Sequence, residues 1–530
     1  MPSLGASWHD AAVWPFRENT PPPPSPPTAF LLREVVKLGL LFGGLLALVY
    51  FFSRGGNFIR IDPPAATLAD THLGGNQGAA LCGTVSLGAR PLPIEMVYSE
   101  DLRRWIEPAA DRFARLCPNI QVRLTALPDI EAADAILAGK LQPTIWAATD
   151  DLSLRYLEDR WGQRGDALPF VRAEQQELVH SPLVLLMWQD RLRLLSAVLR
   201  NQSSSEGRWT RSLCAGIPRE AELAGVPQEN LLPGTWADFA ASLLAVPPPL
   251  PPPRGKAGRQ ARASAPIRPV GDEPLPTLQE VEQWGRVKIG HTSPTRDSAG
   301  LAALFLLAYD YLQPPQALAA APPLVPPPAS TAPDGGVAAS VPAGPGQTAP
   351  EFESVFDAQR IALRRWLRRC EGGLDLPPRS ARQLTASLFN VGPSLYDGVI
   401  TYEHLALPYL DRVDAHAASL GRLVLLYPDP TLVARHPAVV FRGSADLRAA
   451  AERWLRFLLS KPMQEAAIDA GFRPVGSEVS LRSYESVNNR FLSLRRYGVI
   501  VQPVLREAPR IRGKTAQSLI ELWGEVTGRN

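Results

Sequence analysis

From Ile94 to Gly162 the chain alternates between two kinds of apolar spacing, and this alternation constrains its fold more than any other feature. The run "IEMVYS" (Ile94 to Ser99) has strand character. In "EDLRRWIEPAADRFARL", Leu102, Trp105, Ile106, Ala109, Phe113 and Leu116 share one helical face, and Pro108 is predicted to kink it or to delay its regular part. "IQVRLTAL" (Ile120 to Leu127) is the next strand, "DIEAADAILAGKL" a helix, "TIWAA" (Thr144 to Ala148) a buried strand and "DLSLRYLEDRWG" a helix. Strand–helix–strand units at this spacing predict an α/β architecture, with a mostly parallel sheet covered by helices on both faces.

The pattern continues with the apolar strand "SPLVLLMW" (Ser181 to Trp188) and the helix "TWADFAASLLA", for which Thr235 is a suitable N-cap. It resumes with the helix "FESVFDAQRIALRRWLRRC", the segment Ser387 to Leu407 and the strand "RLVLLYP" (Arg422 to Pro428). Helices follow in Ser444 to Phe472, with Ser444 as N-cap and Gly471 closing the second. "IRGKTAQSLIELWGEV" reads as a last amphipathic helix.

At 530 residues the chain is too long for one ordinary domain, so two or more lobes are expected. A net charge of +3 gives no strongly basic surface, which argues against nucleic acid as a partner. The 54 prolines cluster. Residues 1–34 contain "PPPPSPP" and read as a disordered tail, and 55–90 is a Gly/Ala-rich tether. Two insertions, 247–276 and 313–350, carry too little apolar surface to offset their ordering entropy. Between tail and tether, "LGLLFGGLLALVYFF" is uncharged, and 35–54 has the length of a single membrane-spanning helix. Its flanking basic residues lean toward an inside N-terminus. Cys82, Cys117, Cys214 and Cys370 are too dispersed for a paired zinc site; two disulfides and unpaired core thiols are both open readings.

Open α/β sheets bind ligands beyond the carboxyl ends of their strands, where helix N-termini present free amides that favour anions. Hydroxyls at such junctions mark candidate sites. Ser99 ends the first strand, and Thr149 with Asp150 ends "TIWAA". In "GRVKIGHTSPTRDSAGLAALFLLAYDYL", Thr292, Ser293, Ser298 and the backbone of Ala299 and Gly300 form a third junction.

Four segments, "IEMVYSEDLRRWIEPAADRF", "GRVKIGHTSPTRDSAGLAALFLLAYDYL", "YDGVITYEHLAL" and "AAAERWLRFLLSKPMQEAAIDAGFRPV", together resemble extracellular solute-binding proteins of the type II periplasmic-binding fold, the molybdate- and sulfate-binding branch above all. They also resemble solute-binding-like modules found beside von Willebrand A domains. The resemblance implies two α/β lobes joined by hinge strands, for which "SPLVLLMW" and "RLVLLYP" are the candidates. Lobe 1 is expected from 91–180 and 429–475, lobe 2 from 181–428, and a C-terminal extension from 476–530. It implies a ligand site at Ser99, near Thr149, at Ser298 with Ala299, and at Tyr402; the junction residues Thr292 and Ser293, with Arg296 and the nearby Tyr396, which matches no ligand-contact position of the family, complete the candidate set. Arg296 would favour an anion; Asp150 and Asp151 would oppose one.

The expectation is a membrane-anchored, extracytoplasmic protein that captures a small solute, an oxyanion among the options, for an ABC permease. The alternative is ligand sensing or envelope assembly on the same fold. No cofactor or metal is expected, because the seven histidines show no metal-ligand spacing. Nor is an enzyme: Cys117 and Cys214 lack a flanking base, and His291 and His404 read as structural residues.

Overall fold

A computed structural model describes residues 91–201, 276–312, 349–371, 377–412, 421–428 and 430–528. The expected tail, membrane span and tether, the helix after Thr235 and the first insertion up to residue 275 lie outside them. The second insertion overlaps them only at its last two residues, which open a helix.

The described chain begins with β1 (Leu92–Ser99), α1 (Arg103–Leu116), β2 (Ile120–Leu127), α2 (Asp129–Leu137), β3 (Ile145–Ala147), α3 (Asp151–Gly162) and β4 (Gln176–Glu177). The chain then crosses into β5 (Ser181–Trp188) and α4 (Gln189–Asn201), followed by α5 (Leu278–Gln283), β6 (Ile289–Gly290) and α6 (Ser298–Leu312). Next come α7 (Ala349–Ala358), α8 (Arg360–Glu371), α9 (Ala381–Val391), β7 (Gly398–Tyr402), α10 (Glu403–Leu410), β8 (Leu423–Leu426) and β9 (Val433–Ala434). It returns through β10 (Pro437–Val440), α11 (Ala445–Leu458) and α12 (Lys461–Asp469), and finishes with α13 (Arg490–Ser493) and α14 (Gly513–Thr527).

Two five-stranded sheets result, in orders β2-β1-β3-β10-β4 and β6-β7-β5-β8, with β9 pairing β5. Both are mixed, not mostly parallel. β1 runs parallel to β2 and β3, but β10 is antiparallel to β3 and β4 because it arrives from the second sheet in the reverse direction. β5 lies antiparallel between β7 and β8. The expected hinge strands are therefore integral members of the second sheet. The crossings are the links Leu178–His180 and Arg435–His436, held by His180 N–H to Arg473 O (2.8 Å), Arg473 N–H to His180 O (2.9 Å) and His436 N–H to Thr149 O (2.9 Å).

Apolar spacing explains the packing. α1 runs through Pro108 without a break and buries Trp105, Ile106, Ala109 and Phe113. Phe113 meets Trp454 at 5.1 Å and Phe457 at 5.3 Å, and Trp105 Nε1 donates to Met463 O (2.8 Å). All eight residues of β5 are buried, as expected of a strand covered on both faces. α6 is buried at every position but Tyr311, because α7, α8 and α14 wrap it. α14 also lies on α3, and at Gly513 an added Cβ would stand 2.0 Å from the Arg155 carbonyl oxygen, so only glycine permits this approach. The last helix thus touches elements flanking both sheets.

Arg473 and Glu403, both buried, form a two-pronged pair at 2.7 and 2.8 Å. The guanidinium also donates to Val501 O (2.6 Å) and Ile500 O (2.8 Å), anchoring the C-terminal segment. Cys117 and Cys370 are both disulfide-bonded.

Candidate functional site

The ends of β1, β2 and β3 in the first sheet face the β6–α6 junction and the end of β7 in the second. Each junction is shaped by local rules. Ser99 stops β1 with extended backbone and accepts from Asp101 N–H (3.5 Å). Asp150 N-caps α3, its Oδ1 receiving Ser153 N–H (2.9 Å) and Ser153 Oγ–H (2.8 Å). Pro128 ends β2, and Asp129 opens α2.

These ends converge on one buried carboxyl group, that of Asp129. Its Oδ1 accepts Thr149 N–H (2.9 Å). Its Oδ2 lies 2.7 Å from Thr149 Oγ1, 3.0 Å from Ser298 Oγ and 3.2 Å from Ser99 Oγ. Thr149 Oγ1 is also 2.6 Å from Ser99 Oγ, so its single proton serves one of the two. Ser298 belongs to the second sheet's side, which makes this a contact across the cleft. A backbone seam runs alongside: Ile130 and Glu131 donate their N–H groups to Arg296 O (2.9 and 3.1 Å).

Three more buried carboxyls surround it. Asp150 Oδ2 accepts from Tyr402 OH (3.0 Å). Asp297 accepts from Ala381 N–H (2.8 Å) and Ala299 N–H (3.5 Å). Asp101 has an Oδ2 with no hydrogen-bond partner. Burial raises all four above the ordinary carboxylate range, since an ionised group loses hydration there. Asp129 rises to about 6, through burial first and the Asp150 charge second, against the hydrogen bonds from Thr149 and Ser298. Asp297 rises to about 8, through burial and then Asp129. Burial and the neighbouring Asp150 also push the Tyr402 phenol up, so it stays a donor.

On the far side of Asp150 and Tyr402 lies a cavity of about 50 Å³, walled by Phe305, Arg435, Glu507 and Arg510 among others. No group of His, Cys, Asp and Glu among the described residues could hold a metal ion.

The residues expected at the site divide into two sets. Ser99, Thr149 and Ser298 meet on Asp129, and Tyr402 and Ala299 reach its neighbours. Thr292 is buried behind them, its carbonyl facing His291 Nδ1 (2.7 Å). The others turn away. Ser293 Oγ pairs with Thr295 Oγ1 (2.8 Å), and the Arg296 side chain is 40% exposed beside Glu131 (3.4 Å). Tyr396 packs in the core of the second sheet, where its carbonyl accepts from Trp188 Nε1 (3.0 Å). His291 and His404 keep separate partners: His291 Nε2 shares a proton with Glu371 (2.8 Å), and His404 meets Ser181 (2.9 Å).

Sequence reasoning missed Asp129, Asp101 and Asp297. Asp129 had a visible signal, since "LPDI" is a fourth strand-to-helix junction in the same series. An acid at a helix start already has a local explanation in the helix dipole, which hides a second role.

The family model for bacterial extracellular solute-binding protein matches residues 94–473. Comparison with curated proteins finds no match. Among solved structures, the chain is similar to the sulfate-binding protein SubI from Mycobacterium tuberculosis H37Rv, at 12% identity over 83% of this chain and 99% of that one, with a TM-score of 0.36. It is similar to the ferric binding protein from Campylobacter jejuni at 10% identity, over 82% and 99%, with a TM-score of 0.41. Iron-bound HitA from Pseudomonas aeruginosa gives 11% identity, over 82% and 100%, with a TM-score of 0.40.

Proposed function

Because the chain belongs to the bacterial extracellular solute-binding protein family, we propose that it captures a small solute in the cleft between its two sheets and passes it to an ABC permease. One observation carries this reading. Hydroxyls from separate strand ends, Ser99 and Thr149 on one side and Ser298 and Tyr402 on the other, meet at a single buried place beyond the carboxyl ends of the strands. The residues that we place around the solute are Ser99, Thr149, Thr292, Ser298, Ala299 and Tyr402. Lobe 1, expected to resume at 429, instead comprises 91–180 with the return from β10, because β9 pairs β5 of lobe 2, and the Leu178–His180 and Arg435–His436 links serve as the hinge between them.

The chain is held outside the cytoplasm by a single membrane helix over 35–54. Disulfides at Cys117 and Cys370 suit an oxidising compartment. The role is binding, not catalysis. The Ser181–His404 contact resembles a nucleophile–base pair, but Ser181 Oγ also accepts His404 N–H (3.2 Å) and both residues are buried, which suits a helix cap.

A second reading draws on α14. A helix packed on both α3 and α6 opposes the lobe motion that solute delivery uses, and it favours ligand sensing or envelope assembly. The resemblance to modules beside von Willebrand A domains falls under this reading. A permease encoded beside this chain would favour the first.

The test is a thermal-shift screen of the full chain in detergent against amines, sugars, amino acids and oxyanions. A saturable rise in Tm that Tyr402→Phe and Ser298→Asp both weaken supports the cleft. A binder indifferent to both substitutions sinks it.

A further inference from the structure

Asp129 is surrounded as a bound oxyanion would be. A backbone amide (Thr149 N, 2.9 Å) and three hydroxyls (Thr149 Oγ1, 2.7 Å; Ser298 Oγ, 3.0 Å; Ser99 Oγ, 3.2 Å) face its two oxygens, and the group is fully buried. The donors come from the ends of β1 and β3 and from the first residue of α6. No cation contacts this carboxylate among the described residues. Amides, hydroxyls and helix N-termini without a formal positive charge are how proteins hold small anions. Here the anion arrives on a tether, because Asp129 opens α2 directly after Pro128 ends β2.

We infer that Asp129 is a built-in anion: its carboxylate fills the oxyanion position of the cleft, excludes external oxyanions and so determines which solutes the cleft takes. This rests on the reading of the cleft as the solute site. In the native chain the donors that would recognise sulfate or formate are already used. Two buried carboxyls stand beside Asp129: Asp101, whose Oδ2 has no hydrogen-bond partner, and Asp150, whose oxygens accept from Ser153 and Tyr402. The solute that fits therefore carries no carboxylate, sulfate or other oxyanion group at that position. Arg382, whose charge reaches Asp101, reduces the local negative charge without entering the ring of donors.

The inference is tested by removing the tethered anion and supplying a free one. Asp129→Ala deletes one carboxylate, and formate is that carboxylate detached. The full chain in detergent is titrated with sodium formate at pH 7.5, where Asp129 is ionised, with sodium chloride at equal ionic strength as control, and binding is read by Tm and by tryptophan fluorescence. The native chain responds equally to both salts. Asp129→Ala has a lower Tm and recovers it saturably with formate, binding at least tenfold more tightly than the native chain. If Asp129→Ala fails to fold in chloride, refolding in formate recovers soluble protein. Asp129→Asn, which fills the same volume, gains no formate dependence.

Three results overturn the inference: a native chain that binds formate as tightly as Asp129→Ala, an Asp129→Ala chain that formate helps no more than chloride, or equal rescue of Asp129→Asn. A negative formate result beside a cleft-dependent solute in the thermal-shift screen sinks this inference alone. Failure of that screen, with formate rescue intact, sinks the transport reading and leaves Asp129 in place.

Discussion

Replacing Asp129 with asparagine should flatten the pH dependence of folding in a calculable way. In the folded chain this carboxyl holds its proton up to about pH 6, against an ordinary 3.8. Folded protein therefore binds more protons than unfolded chain between those values, and stability falls as pH rises through that window, then levels off above it. The difference of about two pH units, at about 1.4 kcal/mol each, gives a loss of about 3 kcal/mol from this residue. Asparagine carries no charge at any pH, so Asp129→Asn should lose less stability than the native chain between pH 4 and pH 7, by about 2 kcal/mol, the part of that loss that falls inside this window. The value is a floor, because Asp297 is raised partly by the Asp129 charge and should titrate lower without it. Urea unfolding followed by tryptophan fluorescence at pH 4, 5, 6 and 7 measures both slopes, and pH-independent effects of the amide cancel in the comparison. Identical slopes for the two proteins would show that this carboxyl is not buried as described.

Three further outcomes follow from the packing. Glu403→Ala leaves the buried Arg473 guanidinium without its counter-charge and should cost about 3–5 kcal/mol by denaturant unfolding; a loss under 1 kcal/mol would mean the pair is hydrated. Gly513→Val places side-chain carbon against the Arg155 carbonyl oxygen and should undock α14, read as a lower Tm and faster proteolysis within 505–528; unchanged proteolysis would refute the close approach. Tyr402→Phe removes the hydroxyl held by Asp150 and should cost about 1.5–3 kcal/mol once Asp150 is ionised, and less at lower pH where that buried carboxyl keeps its proton; a loss that does not change with pH would place that hydroxyl elsewhere.

Much of the first lobe was legible because its elements are local. The strand from Ile120 to Leu127 alternates, and the α1 face repeats every three to four residues, so both form where the spacing puts them. The junction hydroxyls Ser99, Thr149 and Ser298 were legible for the same reason, each being a break between two periodicities. Arg296 and Tyr396 were not. Both lie in the expected segments, but whether a side chain faces the cleft, the core or solvent depends on partners distant in sequence: Glu131 for the first, Trp188 for the second.

The sequence by itself determined an α/β protein with hydroxyl-bearing turns at its strand ends, because backbone periodicity and helix starts are decided within a few residues. Only the tertiary structure decided what those turns hold. The meeting of Ser99, Thr149 and Ser298 on Asp129 joins residues as many as 169 positions apart, and the antiparallel entry of β10 and the α14 contact with both sides are set the same way. Burial raises the cost of every unpaired polar group, so the fold must bring donors to that carboxylate, and no local pattern records where they come from.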